Sequence, residues 1–174
     1  VVTPAGWGSY NNLQYLPKYA EENLVYSFHF YDPFLFTHQG ASWTLPSLAP
    51  LSGVPFPYDA ARMPACPPEL KGTWIESSLA GGYRSDGTEK KVKELINIAI
   101  KFRDSRQVPI FCGEFGVYMA NSPNEDRVRW YGLVPRYLSE NKIPWTMWDY
   151  VGGFGLFEKG GHDLFECDVN VALV

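Results

Sequence analysis

The stretch Leu24-Val25-Tyr26-Ser27-Phe28-His29-Phe30-Tyr31 decides how this chain is read. Its β-branched and aromatic residues suit a buried strand, and its C-terminal end carries polar side chains able to do chemistry. Three other segments repeat the layout: a short β-rich run, a polar or aromatic residue at its end, a loop, then usually a helical pattern. The first is Val1-Val2-Thr3, leading through Gly6-Trp7-Gly8 into a short helix expected over residues 11–19. The third is Pro109-Ile110-Phe111-Cys112-Gly113-Glu114, and the fourth is Pro144-Trp145-Thr146-Met147-Trp148.

Helical periodicity fills the gaps between these runs. Val92, Leu95, Ile96, Ala99 and Ile100 recur at helical spacing over residues 88–106, with Thr88 as N-cap. A second helix is expected over residues 124–141, where Pro135 should kink or break it. Residues 169–174 read as the first turn of another. The segment at about 32–87, dense in Pro and Gly, is too long for an ordinary connection and is expected to be a functional loop. Strands alternating with helices argue for an α/β fold with a parallel sheet and right-handed crossovers. Four such units suit a small open sheet or half of a (β/α)8 barrel. Periodicity does not choose between them.

Composition bounds the remaining classes. At 174 residues, with 45% hydrophobic and 20% charged, the chain is long enough for one globular domain. Six Trp, 11 Tyr and 11 Phe are more than average; most serve a core, but exposed rings on loops after strands also suit flat, amphipathic ligands such as sugars. A net charge of −4 without a Lys/Arg cluster offers nothing to nucleic acid. The apolar stretches are too short to span a bilayer. Neither Met nor a secretory pattern opens the sequence, so the chain is read as part of something longer. Cys66, Cys112 and Cys167 have no zinc spacing; a Cys66–Cys167 bridge is left open.

Polar residues at the C-terminal ends of strands are where a parallel α/β barrel builds its active site. Here they are His29 and Tyr31, Glu114, and Trp148. The run Phe28-His29-Phe30-Tyr31-Asp32-Pro33, then Phe34-Leu35-Phe36-Thr37-His38-Gln39-Gly40-Ala41, Gly113-Glu114-Phe115-Gly116 and Trp145-Thr146-Met147-Trp148-Asp149-Tyr150, resembles glycoside hydrolase family 5, the cellulase-like endoglucanases. The resemblance implies half of a (β/α)8 TIM barrel, strands 5 to 8 with their helices, as one partial domain over residues 1–174. It implies Glu114 as the nucleophile of a retaining hydrolase of β-1,4-glucan, with His29, Tyr31 and Trp148 binding substrate. His38, Gln39 and Trp43 are expected to line the cleft. The family's acid/base, an Asn-Glu pair on an earlier strand, has no counterpart in this chain. No cofactor or metal is implied, and the family leads one to expect an extracellular or periplasmic protein.

Retaining hydrolysis needs two carboxyl groups about 5–5.5 Å apart, an ionised one to attack and a protonated one to assist departure. A phenol donor beside the first, as Tyr31 would be, favours its charge. Each residue has a plainer reading. Glu114 can be a structural ion-pair partner, His29 a satisfied core histidine, and Tyr31 and Trp148 core aromatics. Trp7, Trp43, Trp74 and Tyr83 are sugar platforms or loop packing; Glu76, Glu158 and Asp163 read as solvated charges, and His162-Asp163 has no ligand spacing. An open half barrel leaves strand edges and bulky apolar interior layers bare, so a complementing N-terminal half or a homodimer is expected. The competing reading is a non-catalytic carbohydrate-binding, or inert, fragment.

Overall fold

The computed structural model describes residues 1–157 and 169–173. In chain order its elements are α1 (Ala5–Gly8, a single distorted turn), a 3-10 helix (Tyr10–Tyr15), β1 (Tyr26–Phe30) and α2 (Phe34–Thr37). A further 3-10 turn (Pro68–Leu70), α3 (Trp74–Ser77) and α4 (Tyr83–Asp86) precede α5 (Glu89–Arg106), β2 (Ile110–Phe115) and α6 (Asn124–Glu140). The first helix is shorter than the predicted 11–19. Pro17 explains the stop: it lacks an N–H and holds Leu16 extended (φ −65°, ψ 136°).

β1 and β2 pair in parallel at the centre. The two outer runs expected as strands are reduced to single bridges, Val2 to Tyr26 and Trp145 to Cys112. Each keeps ladder bonds on its inner side, such as Ser27 N–H to the Val2 carbonyl (2.8 Å) and Cys112 N–H to the Pro144 carbonyl (2.9 Å). Across the sheet the order is thus Val2, β1, β2 and Trp145, with full strands only where a neighbour lies on both sides.

One face of this sheet packs on the helices. Phe28, Phe30, Cys112 and Phe115 are buried there with Ile96 and Ala99 of α5 and Trp130, Val134 and Leu138 of α6. The other face carries Ser27, His29, Phe111 and Gly113, which cluster around the position a Gly113 Cβ would take. Around Gly113 that face is smaller and more polar than the bulky apolar layer expected, with Phe111 as its large hydrophobic neighbour.

The helices form for readable reasons. Thr88 caps α5 by accepting the Lys91 N–H at 3.1 Å. α6 passes through Pro135 without the predicted break. Proline there removes only the bond to the Tyr131 carbonyl, and buried Trp130, Tyr131, Val134 and Leu138 hold both halves on the core. Of the turn expected over residues 169–174, residues 171–173 form a turn closed by the Leu173 N–H to the Asn170 carbonyl (2.8 Å), and Val174 lies outside the described residues. Val169 bridges antiparallel to Phe157, and Asn170 donates from Nδ2 to Asn124 Oδ1 (2.7 Å) at the start of α6.

The 32–87 segment is not a bare loop. It buries Leu48, Leu51, Val54, Phe56, Leu70, Ile75 and Tyr83 in the common core. Gln39, expected to line a cleft, instead ties this excursion together: Nε2 donates to the Phe36 (3.1 Å) and Val54 (3.0 Å) carbonyls, and Oε1 accepts the Val54 N–H (2.8 Å). Its side chain is fully buried because a primary amide can satisfy three such backbone groups at once. Farther along, fully buried Asp126 of α6 receives both guanidinium nitrogens of Arg62 (3.1 and 2.6 Å) and one from Arg129 (3.1 Å).

His38 ends α2 under the same roof, its Nδ1 3.0 Å from Thr37 Oγ1 and its ring stacked on Phe34 at 4.1 Å. Burial lowers its imidazole from 6.5 to about 4. The unfolded chain therefore takes up a proton that the folded one refuses, and stability present above about pH 6.5 is lost as pH falls toward 4. We expect urea midpoints to report a loss of about 2 kcal/mol at about pH 5 relative to neutrality, absent in His38→Gln. Asp126→Ala should cost about 1–3 kcal/mol, because both arginines can turn to water, and should expose residues 58–67 to limited proteolysis. Unchanged proteolysis would show that Asp126 does not anchor the excursion.

Candidate active site

The site begins with an irregularity in the β1–β2 ladder. Phe28 lies opposite Cys112 and His29 opposite Glu114, so Gly113 is an extra residue without a partner. Such a bulge bends the strand and re-aims the side chain that follows it. Gly113 permits it, since a Cβ there would sit 2.6 Å from Ser27 Oγ. The result brings Glu114 level with His29 at the C-terminal end of the sheet.

Two side chains then converge on one carboxylate oxygen. Tyr31 Oη donates to Glu114 Oε2 at 2.9 Å, and His29 Nδ1 lies 3.3 Å from the same atom. Burial first, and the neighbouring Glu114 second, raise the Tyr31 phenol, so it stays protonated and remains a donor. Thr37 fixes the turn behind it, donating from Oγ1 to the Tyr31 carbonyl at 2.6 Å. His29 is held by close approach from α1: a Cβ on Gly8 would fall 2.7 Å from its Cγ, and the Gly8 φ of +74° suits glycine. Burial also pushes the Cys112 thiol up, which keeps this neighbour a non-nucleophilic core residue.

Glu114 opens into a cleft of about 720 Å³ that His29, Tyr31, His38, Trp43 and Trp148 also line. Of the seven residues expected from sequence to act in or line the site (His29, Tyr31, His38, Gln39, Trp43, Glu114 and Trp148), Gln39 alone is not among those that line the cleft, and the platform candidates Trp74 and Tyr83 lie outside it as well. Trp148 is positioned by its N–H bond to the Phe115 carbonyl (2.9 Å) and is half exposed. Trp7, on the left-handed α1 turn, is 93% exposed at the cleft wall. Tyr83 is packing, its hydroxyl donating to the Pro55 carbonyl at 2.7 Å. Glu158, His162, Asp163 and Cys167 lie outside the described residues; Cys66 is a free thiol.

Sequence reasoning passed over Tyr10, Asp32, Phe34 and Phe154, all of which line the cleft. Tyr10 donates to Asp32 Oδ2 at 2.7 Å, and burial raises the Asp32 carboxyl. Asp32 stands next to Tyr31 at the strand end, which was the available signal. Tyr10 and Phe154 had none, being brought in by tertiary packing. Among the described residues, no three His, Cys, Asp or Glu side chains gather as a metal site, and no helix is long and apolar enough to cross a membrane.

This arrangement can be set beside known proteins. Endoglucanase 3 of Fibrobacter succinogenes is 32% identical over 161 residues, covering 90% of this chain but 24% of that protein. Endoglucanase C of Acetivibrio thermocellus is 30% identical over 155 residues, covering 83% and 42%. The chain thus spans less than half the length of these relatives. Among solved structures, an endoglucanase superposes with a TM-score of 0.70 at 23% identity, covering 98% of this chain and 44% of that one. A hyperthermophilic endo-β-1,4-glucanase solved with substrate gives 0.67 at 27%, covering 96% and 44%. The fold is accordingly a partial barrel. The model of the cellulase family matches residues 1–153, and the chain belongs to glycosyl hydrolase family 5.

Proposed function

We propose that this chain is the strand 5 to 8 half of a retaining β-1,4-glucan hydrolase, with Glu114 as its nucleophile. The observation that carries the reading is the convergence of Tyr31 and His29 on Glu114 Oε2 at the wall of an aromatic cleft. A carboxylate attacking an anomeric carbon must be fixed in place and screened from stray protons, and a protonated phenol at 2.9 Å does both. Trp148 offers a half-exposed indole face beside it for the sugar.

The acid/base comes from outside these 174 residues. Among the described residues, Asp32 is the other carboxyl that lines the cleft, and Tyr10 engages it with a hydrogen bond of 2.7 Å. The outer segments at Val2 and Trp145 each pair on one side, and Trp145 is substantially exposed, which supports completion by a second set of strands, from an N-terminal half or another copy. A polymeric glucan as substrate supports a place in the extracellular space or periplasm.

The test is release of reducing ends from a soluble cellulose derivative. The chain alone should bind the polymer with little turnover. Mixed with the four N-terminal βα units of a family 5 cellulase it should hydrolyse it, and Glu114→Gln should lower that rate by about 10³-fold or more with binding retained. Equal rates for wild type and variant would remove Glu114 from the nucleophile role. Binding without turnover in every mixture would favour the carbohydrate-binding reading.

A further inference from the structure

A second groove of about 230 Å³ adjoins the cleft and shares Tyr10, Asp32 and Phe34 with it. Its other side is built by the excursion and α5, with Trp74, Asp86 and Lys91 among its walls. We propose that this groove holds a further pyranose unit of the same β-glucan chain, extending the substrate path from Glu114 over the 32–87 excursion. The inference rests on the hydrolase reading above and deepens it.

Three observations support a sugar as the occupant. The first is continuity. An unbroken run of rings leads away from the carboxylate: Tyr31 to His38 (5.2 Å), His38 to Phe34 (4.1 Å) and Phe34 to Trp74 (6.4 Å). The second is exposure. Phe34 and Trp74 are 38% and 47% exposed, whereas Tyr83 on the same excursion is 1% exposed, so these two rings are not used up as core. An aromatic face with polar groups at its rim suits a pyranose, whose axial C–H face is apolar and whose hydroxyls lie around its edge. The third is the rim itself, where Asp86 and Lys91 offer an acceptor and a donor for those hydroxyls.

The platform is also held rigidly. Thr73 caps α3 by accepting the Ile75 N–H at 3.3 Å, and Glu76 Oε2 accepts the Gly72 N–H at 2.7 Å. Ile75, next to Trp74, is fully buried and roots the turn in the core. A ring presented on a fixed turn loses little freedom on binding, which favours a standing subsite over incidental exposure. Glu76, read from sequence as a solvated charge, thereby acquires a positioning role.

Calorimetric titration of the 174-residue chain with cellobiose and with cellohexaose tests this. The wild type should bind cellohexaose more tightly than cellobiose. Trp74→Ala should weaken cellohexaose by about tenfold while leaving cellobiose unchanged, and Trp74→Phe should restore most of the loss. Circular dichroism of each variant should match the wild type, since the ring lies at the surface. Equal cellohexaose affinity in wild type and Trp74→Ala would overturn the subsite while leaving the cleft reading intact. Failure of the wild type to bind either sugar would overturn both.

Discussion

The structure is arranged around one carboxylate oxygen, Glu114 Oε2, which takes a hydrogen bond from Tyr31 and lies within reach of His29. Neither side chain would meet it in a regular ladder. The unpaired Gly113 shifts the register so that His29 faces Glu114, and the absence of side chains at Gly113 and Gly8 leaves room for Ser27 and the imidazole. A two-strand parallel pairing, normally a scaffold, is thereby part of the chemistry. The buried face of phenylalanines fixes the strands; the opposite face, small and polar, carries Ser27 and His29 beside the cleft.

The long excursion serves this centre from the side. Gln39 and Asp126 each make three hydrogen bonds in holding it, and neither lines the cleft. What they hold is Phe34, His38 and Trp43 at the cleft wall and Trp74 beyond it. A segment with nine residues in the common core behaves as a wall, not as a mobile lid. His38 shows the consequence: a polar ring placed among aromatics loses its usual basicity because nothing nearby compensates its charge.

Much of this was legible in the sequence because strand ends carry chemistry in parallel α/β folds, and His29, Tyr31, Glu114 and Trp148 occur there in order. Helix α5 was legible from its apolar spacing and Thr88. What was not legible depended on packing between distant segments. Gln39 stood in the right motif, yet its amide turned inward to the Val54 backbone, a pairing fifteen residues away that no local pattern encodes. Of the kink or break expected at Pro135, the break does not occur, because burial on both sides outweighs one lost backbone bond. The 32–87 segment looked like loop because Pro and Gly hide its short helices, whose stability comes from Ile75, Tyr83 and their neighbours in the core.

Trapping the covalent intermediate is the most direct measurement. A 2-deoxy-2-fluoro cellobioside with a dinitrophenolate leaving group needs no acid to depart, so it tests the nucleophile independently of any acid/base. Peptide mapping by mass spectrometry after incubation with the assembled protein should place a single fluorocellobiosyl group on Glu114. A label on any other residue, or none on a protein that still turns over the glycoside, would contradict the account.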